Sequence, residues 1–351
     1  MLIDTPLAAR HRGAGAEMGD WFGCWLPSRW GIPAEEERLA IETVALMDKN
    51  YRAYLGFSGP DRVRYLNAIL TNNIQDLAVG DGSVSLLLNP QGRILAEIET
   101  YAREDCLFGV SYALIRQRLA ERLENYIIMD DVTLSDETEA FGTLALEGPK
   151  ATAMVSRLAG LDLAAFKELH QVEAQVRGVR CRISRRSPGG VAGAEFLVAR
   201  GDLERLWSIL EAAARENGGG PVGYEAISAR RLAQGVPWFA YDFGEHQIPH
   251  EAGLETSHIS YTKGCYTGQE IVERVRSRGQ VNRRRVRLHF AGDLVPAAGT
   301  VLTAEGKEIG QITRAAKSWH PPAVLGMAYL RKEHANTGST VKWAGGTASV
   351  L

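Results

Sequence analysis

Cysteine is scarce in this sequence: four among 351 residues, Cys24, Cys106, Cys181 and Cys265. They form no C-x-x-C pair, so neither a zinc ribbon nor a disulfide framework is suggested, and a reducing cytoplasm is the expected setting. Charge of one sign is not in excess either. Forty basic residues face 42 acidic ones, for a net charge of -2, which argues against a general nucleic-acid coat. Long uncharged apolar runs are missing, which argues against a membrane span. Repeats of 20 to 50 residues are missing too, and the one short low-complexity break is Gly218-Gly219-Gly220-Pro221, so a solenoid is not expected. The opening MLIDTPLAARHRGAG interleaves charges with apolar residues, where a secretory leader would have a basic start and then an apolar core. It reads as part of the mature protein. What is present is a 45% hydrophobic, 23% charged chain, long enough for two to three domains with ample buried surface.

The pattern along the chain is mixed α and β. Ser58-Gly59-Pro60 ahead of Val63, Leu66, Ile69 and Leu70 predicts a helix, with proline near the first turn. Ser83 to Leu88 and Arg93 to Tyr101 read as strands joined around Asn89-Pro90-Gln91-Gly92. Leu114, Ile115, Leu119, Leu123 and Ile127 predict the apolar face of a second helix. A new unit starts near Phe141 with a strand, a helix over about 150–158, and a helix capped by Asp202 that Asn217-Gly218 stops. From about Val281, Val286, Leu288 and Phe290 alternate with Arg285, Arg287 and His289, as in a small all-β barrel or sandwich.

Four segments bear on chemistry. In Lys263-Gly264-Cys265-Tyr266-Thr267-Gly268-Gln269-Glu270 a thiol sits beside a lysine and between glycines; the ammonium favours the thiolate and Gly264 frees the backbone to expose it. A small cysteine filling a turn is the structural alternative. Arg274, Arg276, Arg278, Arg283, Arg284, Arg285 and Arg287 form a basic cluster. If Glu273 to Arg278 is extended, the first three share one strand face and suit a phosphate or carboxylate; a charged, solvated edge is the alternative. His246, His250 and His258 lie near Glu245 and Glu251, but Pro249 and the spacing match no H-E-x-x-H helix, so a metal site is not expected. Gly189-Gly190-Val191-Ala192-Gly193 lacks the Gly-Lys-Ser/Thr ending of a phosphate loop.

Taken together, these residues resemble the folate-binding superfamily that contains the glycine-cleavage aminomethyltransferase (T-protein) and its YgfZ-type relatives. Thr5-Pro6-Leu7, His11, Gly15-Ala16, Met18, Gly23 and Trp25 to Pro27 look like the T-protein opening. Asn89, Gly92, Ile94 and Leu95 resemble its hairpin, Glu147-Gly148-Pro149 the entry to its second unit, and Pro249, Glu251 and Ala252 a later shared stretch. KGCYTGQE at Lys263 to Glu270 looks like the signature of the YgfZ branch. The resemblance implies an α+β, three-domain fold around a central channel, with a C-terminal β-barrel. It divides the chain into 1–138, 139–222, a return segment 223–280 that carries the motif, and a barrel 281–351. It also implies tetrahydrofolate or a derivative as ligand, a supporting role for iron–sulfur proteins including tRNA-modifying enzymes, and a cytoplasmic monomer without direct nucleic-acid binding.

Departures from the aminomethyltransferase pattern bear on catalysis. The family's Gly-Gly-Ile-Ile/Leu-Asp-Asp becomes Gly92-Arg93-Ile94-Leu95-Ala96-Glu97, so Ala96 stands where the first aspartate handles the aminomethyl group. Glu97 is no simple substitute, because neighbours on a strand point to opposite faces. The family's Gly-Tyr-Thr-Gly-Glu-Asp-Gly-Phe-Glu aligns with Ser187 to Glu195, which leaves Glu195 as the one acid in it. A carboxylate there could read the paired N–H edge of a pterin. Arg231 falls on the family arginine that meets the folate's carboxylate end, and the glutamate two residues on is Ala233. The resemblance thus implies Cys265 with Lys263 as the working thiol pair, and Glu195, Arg231, Glu97, Tyr112 and Val110 as ligand contacts. Two further readings stand beside it: a working aminomethyltransferase using Glu97 or a distant acid, and an RNA or protein adaptor using the Arg274–Arg287 cluster.

Overall fold

The strands and helices sort into two units in the computed structural model, which describes residues 2–279 and 281–351; Met1 of the opening segment and Gln280 of the return segment lie outside the description. One unit comprises Met1–Asn67, Asn73–Ser85 and Ile98–Ile227, the other Ala68–Asn72, Leu86–Glu97 and Ser228–Leu351.

In the first unit a six-stranded sheet has the order Gln171–Val176, Val179–Arg185, Gly193–Ala199, Phe141–Glu147, Ala45–Asp48, Gly220–Pro221. The sheet therefore takes a strand from each side of the 141–199 segment. Alternation along it turns Leu144, Leu146, Ile183, Phe196 and Val198 to one face, where they pack with Met154 and Val155 of the helix Ala151–Ala159. Leu203, Leu206, Trp207 and Leu210 of the helix Leu203–Glu216 join the same core at helical spacing. Each such fully buried large side chain contributes roughly 1.5–3 kcal/mol of transfer free energy. A second sheet has the order Gly82–Leu88, Ile94–Ala102, Leu107–Tyr112, Arg52–Ser58, Thr133–Asp136. Its first two strands are the expected hairpin, and the tip of that hairpin, Leu86–Glu97, belongs to the second unit.

In the second unit a closed barrel runs Arg283–Phe290, Pro322–Arg331, Lys307–Trp319, Val301–Ala304, Thr340–Trp343, Gly346–Val350 and back to the first strand. Closure leaves no free sheet edge. Val286, Leu288 and Phe290 point into its core with Leu302, Ile312, Leu330 and Val341. Arg285 and Arg287 point out and donate to the carbonyls of Ala252 at 2.8 Å and Ala233 at 3.0 Å. The alternation read from the sequence is the alternation of this strand.

Several local expectations change. The predicted helix over Leu114 to Ile127 is a 3-10 turn, Ala113–Ile115, followed by the helix Arg116–Glu124. The tighter turn rotates the register, so Ile115, Leu119 and Leu123 are buried while Leu114 is 49% exposed. Glu273 to Arg278 is not extended; it lies in the helix Gln269–Arg278, whose buried anchor is Val272. The three arginines therefore fan around a helix instead of sharing a strand face. Asp202 precedes its helix as expected, but a 3-10 turn, Arg200–Asp202, leads in and its side chain makes no capping bond. The glycines at 189–193 start in a 3-10 turn, Pro188–Gly190, and lead into the strand Gly193–Ala199. Among the described residues no helix is long and apolar enough to cross a membrane.

Candidate functional site

Strand geometry decides the fate of the 94–98 segment. Ile94, Ala96 and Ile98 are fully buried, while Leu95 and Glu97 face the other way and are partly exposed. The methyl of Ala96 thus sits in apolar packing, and the carboxylate of Glu97 opens on the opposite face. There Glu97 Oε1 meets Nε2 of His258 at 2.9 Å. Nδ1 of His258 lies 2.7 Å from the Ser257 hydroxyl. The Thr71 hydroxyl donates to the His258 carbonyl at 2.6 Å and accepts from the Leu86 N–H at 2.8 Å, which ties this turn to the tip of the hairpin. His258 is 8% exposed, so its ring is held rather than free.

The KGCYTGQE segment forms a turn running into the helix Gln269–Arg278. Cys265 is exposed, whereas Cys24 and Cys181 are buried and their thiols are pushed up to about 12, chiefly by burial. The Lys263 ammonium has partners that lie far from it in the sequence. It donates to the Leu70 carbonyl at 2.5 Å and the Asn72 carbonyl at 3.2 Å, and lies over the Tyr266 ring at 5.2 Å. Burial brings its pKa down to about 8. Lys263 therefore fastens the turn to the Leu70–Asn72 segment. The backbone freedom expected of Gly264 falls instead on Gly268, whose φ is +82°; a Cβ there would lie 2.6 Å from the Asn89 carbonyl. A Cβ at Gly92, where φ is +71°, would lie 2.9 Å from the Ile271 side chain. The two glycines let the tip of the hairpin lie against the motif.

In the first unit Glu195 is 4% exposed and both its oxygens are committed. Lys49 donates to Oε1 at 2.8 Å and Arg52 at 2.9 Å, and Arg52 lies 2.8 Å from Oε2. Burial pushes the Glu195 carboxyl up, but Arg52 and Lys49 outweigh it and hold the group below its usual range. Glu99 joins the network through Arg52 at 3.2 Å and Arg186 at 2.8 Å. Burial opposes its ionisation, yet Arg186 and Arg52 bring it down to about 2. Val110 lines a cavity of about 20 Å³ with Arg52, Tyr101, Gln171 and Glu195, room for one water molecule. Tyr112 is placed apart from it, in an aromatic group with Phe22 and Tyr51 at centroid distances of 5.7 Å each.

Arg231, in the helix Tyr224–Gln234, is 4% exposed. Its Nη1 is bonded to Asp242, and the guanidinium stacks 4.5 Å from the Trp238 ring centre. Its Nε and Nη2 are buried without a hydrogen-bond partner among the described residues. Two guanidinium donors of this kind are what a carboxylate pairs with.

Sequence reasoning missed Lys49, Arg52, Glu99 and Arg186, and counted His258 only as a metal candidate. The available signal was the polar Lys49-Asn50-Tyr51-Arg52 run set between apolar strands, which is unusual unless the charges find partners.

Comparison with known proteins agrees with this architecture. The family model of the GCVT N-terminal domain matches residues 7–259, and that of the glycine cleavage T-protein C-terminal barrel domain matches residues 283–347. An aminomethyltransferase of Streptomyces avermitilis is 27% identical over 342 residues, covering 95% of this chain and 91% of that protein. One of Moorella thermoacetica is 31% identical over 315 residues, covering 89% and 85%. The crystal structure of glycine cleavage system aminomethyltransferase T from Bartonella henselae superposes with a TM-score of 0.88 at 22% identity, covering all of this chain and 96% of that one. That structural match speaks for the fold. Proteins of this family use tetrahydrofolate. With both family models matched in order and most of the length accounted for, the chain belongs to the glycine cleavage T-protein family.

Proposed function

We propose that this chain is a tetrahydrofolate-dependent protein of the aminomethyltransferase type, in which the Glu97 carboxylate held by His258 handles the proton. The observation that carries the reading is the 2.9 Å contact between Glu97 Oε1 and His258 Nε2, one residue beyond Ala96. A carboxylate paired with an imidazole can take a proton from an amine and return it, which is the work the family gives to a strand aspartate. The relatives named aminomethyltransferase, matched over most of their length, support the same reading. Tetrahydrofolate, when bound, supplies the nitrogens that accept the one-carbon unit. Arg231 is the residue we assign to its carboxylate end. Incubation with an aminomethylated carrier protein and tetrahydrofolate is expected to yield methylene-tetrahydrofolate. Glu97→Gln should slow it by about 100-fold or more while the affinity for tetrahydrofolate, read by calorimetry, changes little. Bound tetrahydrofolate with no product from the unaltered chain rejects the reading.

Two observations favour a second reading, a YgfZ-type protein that binds folate and supports iron–sulfur enzymes, tRNA-modifying ones among them. Ala96 has no group that moves a proton, and the KGCYTGQE turn holds Cys265 open to solvent. In this reading folate binds without turnover and Cys265 is the working group, so binding without methylene-tetrahydrofolate is its expected signature.

A further inference from the structure

Ser257, His258 and Glu97 lie in one hydrogen-bonded line, and no role assigned above uses the serine. Ser257 Oγ is 2.7 Å from His258 Nδ1, and His258 Nε2 is 2.9 Å from Glu97 Oε1. A hydroxyl within reach of an imidazole that is itself oriented by a carboxylate is the arrangement that activates a nucleophile. The carboxylate selects the tautomer with the proton on Nε2, which leaves Nδ1 as the acceptor for the serine proton. Burial differs along the line in the useful direction. His258 is 8% exposed and Ser257 is exposed, so the base is held while the hydroxyl meets solvent. The turn is fixed from behind by Thr71, whose hydroxyl donates to the His258 carbonyl at 2.6 Å, and by Asn72, whose side-chain amide donates to the Ser257 carbonyl at 3.4 Å.

We infer that Ser257 is an acyl-accepting nucleophile, with His258 as its general base and Glu97 as the positioning carboxylate, and that its substrates are activated esters and thioesters. In the first half-reaction the bond from Ser257 Oγ to the acyl carbon forms as the bond from that carbon to the leaving oxygen or sulfur breaks. The serine proton passes to His258 Nδ1 and then to the leaving group. Water repeats the sequence: its proton goes to Nδ1, its oxygen bonds to the acyl carbon, and Ser257 takes the proton back as the carboxylic acid departs. No oxidant or reductant is needed. The inference shares Glu97 and His258 with the proposed function but does not depend on folate.

The test uses the full chain with a fluorophosphonate probe and with p-nitrophenyl acetate, followed by mass mapping of the adduct. Cys265 is exposed and can itself be acylated, so each measurement is repeated in Cys265→Ala. The expected result is a probe adduct on Ser257 in both backgrounds, lost in Ser257→Ala and slowed about 100-fold or more in Glu97→Gln. Ser257→Ala alters one exposed side chain, and an unchanged thermal midpoint and unchanged tetrahydrofolate binding show that it is folded. An unchanged far-ultraviolet circular dichroism spectrum serves the same purpose where folate does not bind, and an adduct found only on Cys265, no adduct, or ester hydrolysis equal in the Ser257→Ala chain and the parent overturns the inference. A Ser257 adduct in a chain that makes no methylene-tetrahydrofolate separates its success from failure of the folate reading.

Discussion

A single carboxylate illustrates how burial and partners compete in this protein. Glu99 is 6% exposed, and burial alone would raise its pKa; Arg186 and Arg52 bring it from 4.5 down to about 2. A group that ionises more readily folded than unfolded adds stability that is fully present above the unfolded pKa and is lost as pH falls through the folded one. Stability against urea is therefore expected to be level above about pH 5 and to fall between 4.5 and about 2, and Glu99→Gln should flatten that fall. An equally steep acid limb in the variant would show that other groups drive it. Glu195 is similar in kind: a sequence places an acid on this strand, but not the Lys49 and Arg52 that reach it from 146 and 143 residues away. The lone cysteine motif carries the same lesson. Lys263 is two residues from Cys265, yet its ammonium serves the carbonyls of Leu70 and Asn72, because a half-buried ammonium must bond to the nearest acceptors.

At the scale of elements, the hairpin Gly82–Leu88 with Ile94–Ala102 and the turn before the Gln269–Arg278 helix meet through glycine. Gly268 has a left-handed φ of +82° and no room for a Cβ beside the Asn89 carbonyl at 2.6 Å. Gly264 has open space around it. Gly268→Ala is expected to lower unfolding free energy by about 2 kcal/mol or more, from backbone strain and the clash together. Gly264→Ala should stay within about 0.5 kcal/mol of the parent. Parallel urea titrations settle it, and equal effects at the two positions would contradict this account of the turn. Element type was legible wherever periodicity was strong, as in the helix Leu203–Glu216 and the strand Arg283–Phe290. It was not legible in Glu273 to Arg278, because a run of alternating arginines fits a strand face on paper, while the buried Val272 and the flanking left-handed glycines at 268 and 279 make it a helix.

For the whole molecule, a ligand that binds the folded chain and not the unfolded one must raise its stability. Tetrahydrofolate at about 100 times its Kd is expected to add about 2.7 kcal/mol, seen as a rise in the thermal midpoint, and an unchanged midpoint at saturating concentration would count against folate binding. Arg231 is where such a gain would be expected: two of its guanidinium nitrogens are buried with no partner among the described residues, a cost that a bound carboxylate would relieve. The family, the mixed architecture and the closing barrel follow from residue order alone, since hydrophobic period, turn residues and motif spacing are local properties of the chain. So does the loss of an acid at Ala96, which needs nothing but its neighbours to be noticed. Only the tertiary structure joins Glu97 to His258 across 161 residues, commits both oxygens of Glu195 to Lys49 and Arg52, and sets the Lys263 ammonium on the Leu70 and Asn72 carbonyls. Hydrogen bonds and ion pairs act over a few ångströms of space, and distance along the chain carries no information about them.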